Sequence, residues 1–133
     1  RTPLHLACAN GHTEVVCFLL RKKCKLNPRD NLGNTPLMKA VTCRQADCVA
    51  ALLQHGADPN LTDRCGNTAL HLAVNTADVF LVGLLLEHNA HIEAANQMGY
   101  TPLALAVFCH FKEVAEFLLA KGADVHARDQ AAR

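Results

Sequence analysis

Residues Thr2 to Leu20 read TPLHLACANGHTEVVCFLL. The opening of that stretch returns three times, as Thr35-Pro36-Leu37, Thr68-Ala69-Leu70 and Thr101-Pro102-Leu103. The four threonines stand at 2, 35, 68 and 101, an unbroken period of 33 residues. A fixed period of this length marks a chain built of stacked supersecondary units. It divides the chain into four units, about 2–34, 35–67, 68–100 and 101–133.

Each residue of the stretch has a physical task. Thr2 can cap the first helix by offering its hydroxyl to amide hydrogens one turn on. Pro3 suits the first helical position, where its missing N–H costs nothing. Leu4, Leu6 and Ala7 are expected to face a second helix, and Gly11 to break the pair. Val15, Val16, Leu19 and Leu20 recur at helical spacing and predict the buried stripe of that second helix. A loop then runs from Leu26-Asn27 through Asp30-Asn31-Leu32-Gly33 to the next threonine. One such unit cannot bury its apolar side alone, so the units must stack.

The Thr-Pro-Leu-His start, the 33-residue spacing, Gly11-His12 and Gln54-His55-Gly56-Ala57-Asp58 together resemble the ankyrin-repeat family, over essentially the whole chain. The resemblance implies an all-α solenoid of four helix-turn-helix units linked by hairpin-like loops, with eight helices in antiparallel pairs and no sheet. Leu37-Met38-Lys39-Ala40-Val41 with Cys43 is similar to a narrower POTE-like subgroup, whose members carry coiled-coil tails. The family usually has glycine where Lys23 and Asn89 stand, a residue in the left-handed conformation that closes a helix. Phe80 occupies a place that is acidic in the other units (Glu14, Asp47, Glu113) and is expected to be exposed. Lys39 stands where the other units have leucine. Its stem is expected to pack and its ammonium to reach water.

The resemblance implies a non-enzymatic module that binds a protein through its loop tips and the concave face of its first helices. The implied tip positions are Asn31, Leu32, Asn34, Arg64, Cys65, Asn67, Gln97, Met98 and Tyr100. The implied first-helix positions are Ala9, Asn10, Thr42, Cys43, Asn75, Thr76, Phe108 and Cys109. Of these, Leu32, Asn34, Arg64, Asn67, Thr76, Met98, Tyr100 and Phe108 are the expected partner contacts. Met98, Tyr100 and Phe108 put apolar and aromatic anchors in the last two units. The family is also modified by asparaginyl hydroxylases at one loop position, here Asn27 and Asn60. Glu93 and His126 replace it in the later units. His5 and His71 are implied to knit neighbouring units by hydrogen bonds.

Composition narrows the remaining classes. The chain has 133 residues, enough for one domain, and no apolar run long enough for a membrane span. Its seven cysteines are odd in number and lack disulfide-framework spacing, which predicts a reducing compartment, cytoplasm or nucleus. Residues 1–44 hold eight Lys/Arg against two Asp/Glu, and residues 45–133 five against ten. Because sequence order is spatial order in a solenoid, the rod should be electrically polar. A basic run, Arg21-Lys22-Lys23-Cys24-Lys25, ends the second helix and can be read as cations answering the helix dipole or as a phosphate-binding or nuclear-import patch. Basic charge gathered at one end gives no stripe for nucleic acid.

Catalysis has little support. Cys109-His110 is the most suggestive pair, but helix neighbours point apart and no motif flanks them. Zinc needs convergent ligands, and Cys43 and Cys109 fall two units apart. No cofactor is implied. The chain begins inside one unit and reaches Arg128-Asp129-Gln130 where another would start, so it reads as a fragment of a longer array, monomeric as such. A passive spacer in a larger coiled-coil protein is the alternative function, and a metal- or thiol-dependent enzyme a distant third.

Overall fold

A computed structural model describes residues 2–126. The residues at Arg1 and Arg128-Asp129-Gln130, and the end of the fourth unit, lie outside them. Every regular element described is a helix: α1 (Pro3–Ala9), α2 (Thr13–Arg21), α3 (Pro36–Thr42), α4 (Ala46–Gln54), α5 (Ala69–Asn75), α6 (Val79–Glu87), α7 (Pro102–Phe108) and α8 (Lys112–Ala120). The shorter helices α1, α3, α5 and α7 pack in one row, and α2, α4, α6 and α8 form the second. Each pair is also packed within itself, α1 on α2 and so on to α7 on α8.

The threonines start the short helices as expected. Thr2, Thr35, Thr68 and Thr101 each sit in extended backbone, and each side chain accepts the N–H of the residue three further on. Pro3, Pro36 and Pro102 fill the first turn. The core runs unbroken through all four units, with Leu37, Leu52, Leu70, Leu81, Leu85 and Leu118 essentially inaccessible. Full burial of one such leucine is worth about 1.5–3 kcal/mol, and that drives seven- and nine-residue helices too short to persist alone.

Two stripe residues depart from the sequence reading. Val16 and Leu20 are buried, but Val15 is 47 % exposed and Leu6 is 46 % exposed. Leu19 is half-buried. The residues equivalent to Val15, namely Cys48, Leu81 and Val114, are all within 1 % of complete burial. Those three are covered by the preceding unit. Val15 lies on the outer side of the first unit, where no described residue covers it.

Left-handed backbone recurs at three places in each of the first three units and at two described places in the fourth. The turn between the helices uses Gly11, Arg44, Ala77 and His110, with φ between 57° and 72°. The residue beyond the second helix uses Lys23, Gly56, Asn89 and Gly122, with φ from 60° to 100°. Each loop tip uses glycine, at Gly33, Gly66 and Gly99. A side chain at such a place is strained by contact with its own backbone. Lys23, at φ 60°, is therefore strained where Gly56 and Gly122 are not. Lys23→Gly is expected to stabilise the chain by up to about 1 kcal/mol, the relieved strain exceeding the added freedom of the unfolded chain. Thermal melts of the two chains check this, and a lower midpoint for the variant contradicts it.

Candidate partner-binding surface

The loop between one helix pair and the next is held by an acidic or amide side chain. Asp30 Oδ1 accepts the N–H groups of Leu32 and Asn34 at 3.0 and 2.9 Å. Asp63 does the same for Cys65 and Asn67, and Asn96 for Met98 and Tyr100. These side chains replace the hydrogen bonds that a tight turn leaves open. The fingers so formed stack on one another. Arg64 N–H donates to the Leu32 carbonyl at 3.4 Å and Gln97 N–H to the Cys65 carbonyl at 3.0 Å. Glycine at the tip is required by closeness as well as by φ. A Cβ on Gly66 would meet the Gln97 nitrogen at 2.8 Å.

The histidines tie helix to finger. Thr68 N–H donates to His71 Nδ1 at 3.1 Å, so that nitrogen carries no proton in the neutral ring. Nε2–H then donates to the Tyr100 carbonyl at 2.8 Å, in the following finger. His5 repeats the arrangement, from Thr2 N–H at 3.1 Å to the Asn34 carbonyl at 2.8 Å. Both rings are buried. Resemblance implied that these histidines knit neighbouring units; each instead reaches the last residue of its own unit, the one that leads into the next helix. A second ladder, not anticipated, runs at the other end of the loop. Asn27 Oδ1 accepts Asp58 N–H at 3.1 Å, Asn60 Oδ1 accepts His91 N–H at 2.8 Å, and Glu93 Oε2 accepts Asp124 N–H at 2.7 Å. The 33-residue spacing of Asn27, Asn60 and Glu93, and of Asp30, Asp63 and Asn96, was the signal available for both ladders.

The expected contact residues do not all stand free. Leu32, Met98 and Phe108 are 61 %, 65 % and 66 % exposed. Asn31, Arg64, Cys65 and Gln97 are exposed, as are Asn10, Thr42, Cys43 and Asn75. Asn34 and Asn67 are half-buried, and Asn67 Oδ1 is occupied by Asn96 Nδ2 at 2.9 Å. Thr76 is also half-buried. Its hydroxyl donates to the Ala73 carbonyl, and its own carbonyl accepts the Arg44 guanidinium at 2.6 Å. Ala9 and Cys109 are half-buried. Tyr100 and Phe108 are brought together, their rings stacked with centroids 5.5 Å apart and planes at 29°. Phe80 is 65 % exposed on α6, as its column predicted.

Charge at the first finger is set by Lys39. Its Nζ lies 3.9 Å from Asp30 Oδ2, and the Asp30 side chain is nearly enclosed. Burial pushes the Asp30 carboxyl up, but the Asn34 and Leu32 N–H groups and the Lys39 cation outweigh it and hold the carboxyl below its ordinary range. The sequence reading had this ammonium in water; the finger carboxylate takes it instead. Asp63 and Asn96 fill the same place opposite leucines, so this pair is particular to the first finger.

Two of the thiols are buried in the core. All seven cysteines are free. Burial, with Cys48 and Cys24 nearby, pushes the Cys8 thiol up to about 12, and burial also raises Cys48. Neither forms the reactive thiolate near neutrality. Among the described residues no three His, Cys, Asp or Glu side chains gather where a metal ion could sit. No described helix is long and apolar enough to cross a membrane.

Paired helices in register, threonine caps and stacked fingers define a repeat solenoid that displays loop tips. A profile described as ankyrin repeats (3 copies) matches residues 1–63 and 56–129. The chain belongs to the ankyrin-repeat family. It is 76 % identical over 25 residues to human ankyrin repeat domain-containing protein 7, 19 % of this chain and 10 % of that one. It is 50 % identical over 40 residues to an ankyrin repeat protein of Rickettsia bellii, 30 % of this chain and 17 % of that one. It is also 56 % identical over 43 residues to the mouse mitochondrial liver glutaminase isoform, 31 % of this chain but 7 % of the enzyme. These matches span less than a fifth of each relative, and the last brings no glutaminase activity to this chain.

The buried relay is sensitive to pH. Burial lowers the His71 pKa from 6.5, and the Tyr100 and Ala94 backbone groups and the Asp63 charge only partly oppose it. A folded-state pKa below the unfolded one makes the folded chain bind fewer protons. The stability is fully present above about pH 6.5 and falls as pH drops from there toward the folded value. Met38 stands at this place in the second unit, with its sulfur 3.5 Å from Thr35 N. His71→Met is expected to cost about 1–3 kcal/mol near neutrality, from the lost bonds. It should also flatten the fall in melting temperature between neutral and mildly acidic pH. An unchanged pH slope in the variant contradicts the assignment.

Proposed function

We propose that this chain is a non-catalytic recognition module that binds a protein partner through its finger tips and the exposed ends of its first helices, centred on the last two units. The observation that carries the reading is exposed Phe108 stacked on half-buried Tyr100, with Met98 exposed on the finger that ends in Tyr100. Soluble domains bury aromatics where they can, and an exposed cluster on a preformed surface is the usual anchor of an interface. Leu32 and Arg64 extend the surface along the tips, with Asn34, Asn67 and Thr76 holding it in shape. Free thiols support a reducing compartment, cytoplasm or nucleus. The units about 2–34, 35–67, 68–100 and 101–133 are proposed as part of a longer array.

Tyr100→Ala combined with Phe108→Ala is expected to weaken a partner captured by the wild-type chain by about thirtyfold or more, as loss of a central anchor would. Phe80→Ala is the control, because Phe80 belongs to α6 rather than to the first helices. Titration calorimetry with matched circular dichroism measures both. Normal binding by the double variant, with loss in Phe80→Ala, places the contact on the second-helix row instead. No partner for any variant favours the spacer reading.

Asn27 and Asn60 are further proposed as positions of side-chain hydroxylation. Their oxygens serve the inter-unit ladder, so modification there would act directly on stacking. Mass spectrometry of the chain isolated from cells is expected to find one added oxygen on peptides holding Asn27 and Asn60, and none on those holding Glu93 or His126. Unmodified peptides at both asparagines would reject the proposal.

A further inference from the structure

The run that closes α2 has more positive charge than its helix needs. Arg21, Lys22, Lys23, Lys25 and Arg29 are all exposed, whereas Cys24 and Leu26 between them are half-buried. The turn thus faces inward through its apolar residues and outward through its cations. It is also rigid. Lys23 N–H donates to the Leu20 carbonyl, and Asn27 Oδ1 holds the Asp58 N–H of the next unit. Lys22 Nζ lies over the Phe18 ring, 5.5 Å from its centroid. Among the described residues, none of these five cations is within ion-pair distance of a carboxylate.

The helix dipole does not account for the cluster. The equivalent helices α4, α6 and α8 end with no basic residue in their last turn. Lys25 and Arg29 lie beyond α2 altogether. The columns that hold Arg21, Lys22, Lys23 and Lys25 hold Gln54, His55, Gly56 and Asp58 in the second unit, and Glu87, His88, Asn89 and His91 in the third. The feature is local to one unit and is kept although Lys23 is strained and its neighbours repel it.

We propose that this basic turn is a second interaction surface, separate from the Tyr100–Phe108 site, and that it takes a short acidic segment of a protein. Exposed cations on a fixed turn attract and hold carboxylates without the cost of ordering a loop. The limited extent of the patch selects a short ligand. A nucleic acid or an anionic membrane laid along this edge would meet Asp58, Glu87 and Asp124 on the following units. A peptide of a few acidic residues need touch only the first.

The probe is a fluorescein-labelled peptide rich in Glu and Asp, measured by anisotropy at about 0.15 M salt, where distant charges are screened. The wild-type chain should bind it. Lys22→Gln/Lys23→Gln/Lys25→Gln should weaken binding by about tenfold, as three exposed charge contacts of modest strength would. All three residues are exposed, so circular dichroism should show the fold kept. Lys112→Gln/Lys121→Gln at the far end, and the Tyr100→Ala/Phe108→Ala chain, should bind as wild type does. Absence of binding, or equal binding by the triple variant, overturns the proposal. So does equal affinity for an oligothymidine or for phosphatidylserine vesicles, which would make the patch a general polyanion contact.

Discussion

One apolar side of each helix pair is open unless a preceding pair covers it. The column Val15, Cys48, Leu81, Val114 measures this directly: the first member is 47 % exposed and the other three are buried. The residue types are alike in character, so the difference is the neighbour. Seven- and nine-residue helices have little stability of their own, and almost all of it comes from this contact. The period of 33 is a consequence, since a face that must meet its own copy has to recur at a constant interval.

Apolar contact by itself would allow the units to slide. Register comes from polar groups that reach across the joint. Asn27, Asn60 and Glu93 hold the backbone of the following loop, and His5 and His71 each tie a helix start to the finger that ends its own unit. Met38 and Ala104 stand in place of histidine in the second and fourth units, so the units are not equally tied. A buried relay of this kind is strong only while each member has its partner. No described side-chain nitrogen or oxygen is buried without one.

Because stacking and register are carried by inward positions, the tips and first-helix ends are free to differ. In the first finger an enclosed carboxylate is matched by Lys39. In the third, an amide replaces the acid and an aromatic stack appears beside it. The rod therefore changes from charged to aromatic along its length without any change in backbone. Lys23, Arg44, Ala77, Asn89 and His110 adopt left-handed backbone at turn places although none of them is glycine.

The repeat, the helix pairs, the threonine caps and most of the core were legible from the chain alone. They follow from local rules, capping chemistry and apolar spacing, that act over a few residues and recur every 33. The exposure of Phe80 and the bridging histidines could be read by comparing columns. Other features needed the assembled structure. Val15 looks like core by spacing and is surface by position. Asn34, Asn67 and Thr76 are half-buried, and each gives a carbonyl or side-chain oxygen to a bond that only the folded chain brings together. The Lys39–Asp30 pair and the Tyr100–Phe108 stack join residues on different elements, a helix and a finger in each case. A sequence column records which residues are equivalent. It does not record which face each other across a turn, and that is decided by the way the finger folds back over its helix.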